Sequence, residues 1–98
     1  MNAKAALITA LLEGRVLNVN NCFKEIGLTN IGREIPRMVE WPFDVIVSRS
    51  RRNAKNRYGT PCQFIDYRLN RSVLNRPGIK LMEKYVKEVK EEYYLKNK

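Results

Sequence analysis

A chain of 98 residues, 44% of them hydrophobic, is one domain's worth of sequence, able to build one modest core but no large cleft. It contains no histidine, and its two cysteines, Cys22 and Cys62, stand far apart and alone. The commonest general base is therefore missing, and neither a four-ligand zinc site nor a disulfide framework can be assembled.

With no phosphate loop and no carboxylate cluster outside a lysine-mixed tail, the chain does not read as an enzyme, and no catalytic residue, cofactor or metal is expected. The apolar stretch "AALITALL" spans only eight residues before Glu13 and Gly14. That is too short for a membrane span and lacks a signal-type cleavage site, so the expected setting is a reducing cytoplasm with both thiols free.

The net charge is +9 and is unevenly placed. Residues 1 to 45 balance five basic side chains against five acidic ones, whereas residues 46 to 80 carry nine basic residues against Asp66 alone. Residues 81 to 98 hold five lysines and four glutamates, interspersed as on a solvated helix. Solubility needs no such asymmetry. A positive field confined to the middle of the chain points to a polyanionic partner.

In chain order, Asn2 to Glu13 is Ala- and Leu-rich with Gly14 just beyond, which predicts a helix apolar on nearly every face and hence central. Asn18 can cap a second helix, Val19 to Ile26, closed by Gly27. A third helix is predicted from Asn30 to about Glu40, with Ile31, Ile35, Met38 and Val39 facing the core and Asn30, Arg33, Glu34 and Arg37 on the opposite face. Pro36 lies inside it and faces Gly32 four residues back, which predicts a bend or a short tight turn. Trp41 and Pro42 are expected to end the element.

Phe43 to Arg49 and Cys62 to Leu69 have the composition of strands, and the polar "RRNAKNRYGT" between them makes the pair a β-hairpin. From about Pro77 a final helix is predicted, with Ile79, Met82, Val86, Val89 and Tyr93 forming a narrow seam at coiled-coil spacing. The seam is either a homodimer interface or a strap over the domain. The expected fold is α+β: three helices and a hairpin over residues 1–72, with an added C-terminal amphipathic helix over 73–98.

Three helices followed by a hairpin is the winged helix-turn-helix plan, in which a helix enters the major groove of DNA and a ribbon meets the backbone beside it. The stretch "LNVNNCFKEIGLTNIGREIPRMVEWPFDVIV", a hairpin containing "KNRYGT" and the closing "YRL" resemble the small winged helix-turn-helix domains of bacteriophages and prophages. The resemblance covers about residues 4 to 69. It implies that Thr29 to Arg37 supplies the recognition helix and that Asn56, Arg57, Tyr58 and Gly59 form the wing tip. The chain departs from the family at Pro36 and Trp41, where a polar and a basic residue are more usual.

On this reading the chain is a double-stranded DNA-binding protein, a phage or prophage regulator or accessory factor acting in the bacterial host cytoplasm. Asn30, Arg33 and Arg37 would reach base edges, their alternative being an ordinary solvated face. Arg49, Arg51, Arg52, Lys55, Asn56, Arg57 and Tyr58 would meet the backbone. Glu34 would accept from a base or hold a neighbouring arginine. Phe23, Ile26, Ile31, Ile35, Trp41, Ile65, Tyr67 and Leu69 read as core. Two other classes stay open: an architectural or RNA-binding protein with little sequence preference, and a protein-interaction adaptor.

Overall fold

The computed structural model describes residues 2–55 and 57–96, with side chains as far as Glu92. It is an α+β fold of helices and one two-stranded antiparallel hairpin. Helix α1 covers Ala3–Leu12, and Asn2 caps it by accepting from the Ala5 N–H. Ala5, Leu7, Ile8, Ala10 and Leu11 are buried, so this helix is the central one its composition predicts.

Helix α2 covers Val19–Ile26 and begins with a reciprocal cap. The Asn18 side chain accepts from the Asn21 N–H at 3.0 Å, and the Asn21 side chain accepts from the Asn18 N–H at 2.8 Å. Asn21 also donates to the Val16 carbonyl at 2.9 Å, which fixes the chain leading into the helix. Gly27 closes the helix at φ 85°.

Helix α3, Ile31–Ile35, runs into a π-helical turn, Pro36–Glu40, and then into a short helix α4, Trp41–Phe43. Pro36 and Pro42 both lack an N–H, and the ladder widens instead of tightening, with the Trp41 N–H reaching the Pro36 carbonyl. The expected tight turn at Pro36 is therefore replaced by a wider one. The helix also outlasts Trp41 and Pro42, because Trp41 keeps helical dihedrals, and it stops at Asp44 in the left-handed conformation, φ 53°.

Strand β1 is Val47–Lys55 and β2 is Pro61–Leu69, paired from Val47 with Leu69 to Lys55 with Pro61. The first strand thus lies later than Phe43 to Arg49, and half of the expected polar connection is strand. Helical backbone claims Phe43, while Arg51 to Lys55 find partners in register. Leu17, between α1 and α2, adds a one-residue bridge to the hairpin: it exchanges two backbone hydrogen bonds with Tyr67, at 2.9 and 2.7 Å. A single bridging residue leaves no alternation to read in a sequence.

A 3₁₀ turn, Val73–Asn75, leads into α5, Arg76–Lys96. Asn75 is buried and spans two segments. It accepts from the Ile46 N–H at 3.0 Å and donates to the carbonyls of Ile46, at 2.8 Å, and Asn70, at 2.6 Å. Gly78 permits the close approach that follows, since a Cβ there would stand 2.3 Å from both the Phe43 carbonyl oxygen and Val45 Cγ1.

One core gathers Leu7, Ile8 and Leu11 with Leu17, Ile31, Ile35, Val39, Tyr67 and Leu69. Ile79, Met82 and Val86 of α5 belong to the same cluster and Val89 is half-buried, so these seam positions pack on the chain's own core, as a strap would. The apolar surface of α1 lies nearest and covers them. Tyr93, the last seam position, lies outside the described side chains. Lys4 adds a lock, its ammonium 5.3 and 5.0 Å from the ring centroids of Phe43 and Tyr85.

Three of the expected core residues are exposed: Phe23, Trp41 and Ile65. Ile26 is half-buried, and Ile31, Ile35, Tyr67 and Leu69 are buried as expected. The short α2 buries fully only Cys22, and Trp41 sits beyond the π turn, where the widened ladder has rotated the apolar face past it.

Candidate nucleic-acid interface

Asn30 caps α3, its side chain accepting from the Arg33 N–H at 3.3 Å, so the carbonyl oxygen expected to meet a base is engaged within the helix. Arg33 and Arg37 converge on the carboxylate of Glu34, at 4.0 and 3.8 Å, with both guanidinium groups still largely in solvent. Of the two roles open to Glu34, the geometry has it holding arginines, and it weakens the positive field of that face.

The hairpin arginines are not equivalent. Alternation and register put Arg49 and Arg51 on one face, opposite Tyr67 and Ile65, while Arg52 lies on the other, opposite Phe64. The Arg49 guanidinium donates to Glu40 at 2.6 and 3.3 Å and to the Val47 carbonyl at 2.8 Å, and it lies 5.4 Å from the Tyr67 ring centroid. Those hydrogen bonds hold the Glu40 carboxyl below the usual range and raise Arg49 further still. Arg49 is a structural residue that ties the end of the π turn to β1.

Arg52 donates to Asp66 at 3.1 Å and lies 5.5 Å from the Phe64 ring centroid. The second Asp66 oxygen is buried without a hydrogen-bond partner among the described residues, which leaves Arg52 as its main compensation. Arg51, Lys55 and Arg57 form no ion pair among the described residues and are exposed. Arg57 lies 5.6 Å from the ring centroid of Tyr58, which is 81% exposed. Asn56 lies outside the described residues. The seven expected backbone-contacting residues thus divide into two tied arginines, three available cations, an exposed aromatic ring at the tip and one position not described.

Sequence reasoning missed a groove of about 700 Å³ between the first turns of α2 and the face of the hairpin that carries Arg52. Lys24 and Asn20 approach it from the helix, and Arg52, Lys55, Arg57 and Phe64 from the hairpin, while Asn30, Arg33 and Arg37 do not line it. Nothing in the sequence sets Lys24 apart from the other basic residues of the N-terminal half, and only the fold brings it to the wing.

Among the described residues no group of three or more His, Cys, Asp or Glu is placed to hold a metal ion, and no helix is long and apolar enough to cross a membrane. Comparison with protein-family models, with curated proteins and with solved structures gave no match.

Proposed function

We propose that this chain is a double-stranded DNA-binding protein of the winged helix-turn-helix type, acting as a phage or prophage regulator or accessory factor in the cytoplasm of a bacterial host. The observation that carries the reading is the hairpin end, where Arg51, Lys55 and Arg57 are exposed and have no acidic partner among the described residues. A strand pair that maintains such a charge against its own repulsion is suited to phosphates. Further support comes from three helical segments preceding the hairpin and from the Leu17 bridge, which anchors the ribbon beside α3.

In this reading α3 and the π turn that continues it enter the major groove with Arg33 and Arg37, and the hairpin cations follow the backbone. A second reading, an architectural protein with little sequence preference, draws on one observation: Arg33 of α3 and Arg37 of the π turn share Glu34, which lowers their reach for bases. Selection of bound sequences from a random duplex pool tests both. An enriched motif that Arg33→Ala and Arg37→Ala each relax at one position supports base readout; tight binding with no motif favours the architectural reading; no duplex binding removes both.

A further inference from the structure

The groove between α2 and the hairpin adds Lys24, Asn20 and Phe64 to cations that the duplex-binding surface also uses. Lys24 and Asn20 line it from α2, and Arg52, Lys55, Arg57 and Phe64 line it from the hairpin. Two cationic walls facing across a concave space suit a chain of phosphates running between them. A duplex about 20 Å across meets such a cleft only at its edge, whereas one strand fits within it.

We infer that this groove binds a short segment of single-stranded nucleic acid, its phosphates held by Lys24, Lys55 and Arg57 and a base resting against Phe64. The volume of about 700 Å³ is of the size that takes a small organic ligand. Phe64 is half-buried and already carries the Arg52 guanidinium, 5.5 Å from its ring centroid, so the aromatic plane is held in place rather than free to rotate away. Asp66 fixes that arginine in turn. The exposed Asn20 side chain offers both a donor and an acceptor to a base edge. No carboxylate lines the groove among the described residues. A purely anionic protein partner would use the cations but would have no need of the Phe64 ring.

This goes beyond the proposed duplex binding and shares with it the tip cations Lys55 and Arg57, so the test rests on Lys24 and Phe64, which only the groove uses. The full chain is titrated into a fluorescein-labelled oligothymidylate of about twelve nucleotides, which forms no duplex, and separately into a labelled random duplex of about twenty base pairs. Lys24→Glu is expected to weaken oligothymidylate binding about tenfold, and Phe64→Leu, which keeps apolar bulk, about fivefold or more. Duplex affinity should change less than about threefold in either variant. Lys24→Ala replaces the charge reversal if that variant melts early.

Absence of oligothymidylate binding overturns the inference and leaves duplex binding as proposed. Equal losses on both probes make the groove part of the duplex surface and also overturn it. Displacement of the oligonucleotide by polyglutamate of matching charge, as efficient as by unlabelled oligothymidylate, assigns the groove to acidic chains instead. Binding of the single strand without any binding of the duplex supports the groove and removes the proposed function.

Discussion

Glu40 and Arg49 join the end of the π turn to the start of the hairpin: the carboxylate takes two hydrogen bonds from the guanidinium and one, at 3.1 Å, from the Val47 N–H. The pair orients the ribbon relative to α3, and it engages the Arg49 guanidinium within the fold. An arginine in a basic run is thus a brace, a role that its neighbours in sequence do not disclose.

That brace makes the fold sensitive to acid. Because the folded state lowers the Glu40 carboxyl through its hydrogen bonds, the stabilisation is present above the unfolded value, about 4.3, and is lost as pH falls through the depressed folded value. With Arg49 partly solvent-screened, the contribution is about 1 kcal/mol. Thermal melting of the wild type and of Glu40→Gln between neutral pH and about pH 3 should show two curves that differ near neutrality and converge in acid. A constant gap across the range would mean that the charge on Glu40 is irrelevant.

Gly78→Ala should destabilise the protein although alanine is the better helix former by about 1 kcal/mol. The added methyl would stand 2.3 Å from the Phe43 carbonyl oxygen and from Val45 Cγ1, and backbone cannot yield as a side-chain tip can. A net cost of about 2 to 4 kcal/mol is expected from denaturant unfolding. A variant as stable as wild type would show that α5 sits further from the helix end than described.

Asn75→Ala leaves the Ile46 N–H and the carbonyls of Ile46 and Asn70 without their shared partner. The expected loss is about 2 to 4 kcal/mol, and hydrogen exchange at the Ile46 amide should accelerate beyond what the global change accounts for. Exchange at Ile46 that tracks global unfolding alone would deny Asn75 a local role.

The three available hairpin cations, with part of the Arg33 and Arg37 pair, suggest about three to five phosphate contacts and a log-log salt slope of about −3 to −4.5 on duplex DNA. Replacing Arg51, Lys55 and Arg57 by Gln should reduce the slope by about two to three units, whereas replacing Arg49 and Arg52 should move it by less than about one. The reverse ranking would show that the ion pairs with Glu40 and Asp66 open on binding.

Val86→Asp places a carboxylate in the core shared with α1, so it should cost about 3 kcal/mol or more within a single chain, independent of protein concentration. Sedimentation of the wild type should give a monomer. A melting temperature that rises with concentration would restore the seam as a contact between two copies.

Local signals settled much of this protein without tertiary help. Caps need only a short polar side chain and a glycine at the right offset, and Asn18 and Gly27 act where their spacing put them. The apolar run of α1 foretold its central position, and Ile31, Ile35 and Val39 repeat at helical spacing and are buried. The tertiary structure decided the rest. Two missing proline N–H groups were accommodated by a π turn because the core on either side holds the helix together, which moved β1 along the chain and left Trp41 in solvent. The coiled-coil spacing of α5 was satisfied by α1, since a seam specifies an apolar neighbour but not whose chain supplies it. Charge in the hairpin was legible as a total. Its division into braces and available cations was not, because that depends on Glu40 and Asp66 arriving from elsewhere in the fold, at distances that no spacing in the sequence encodes.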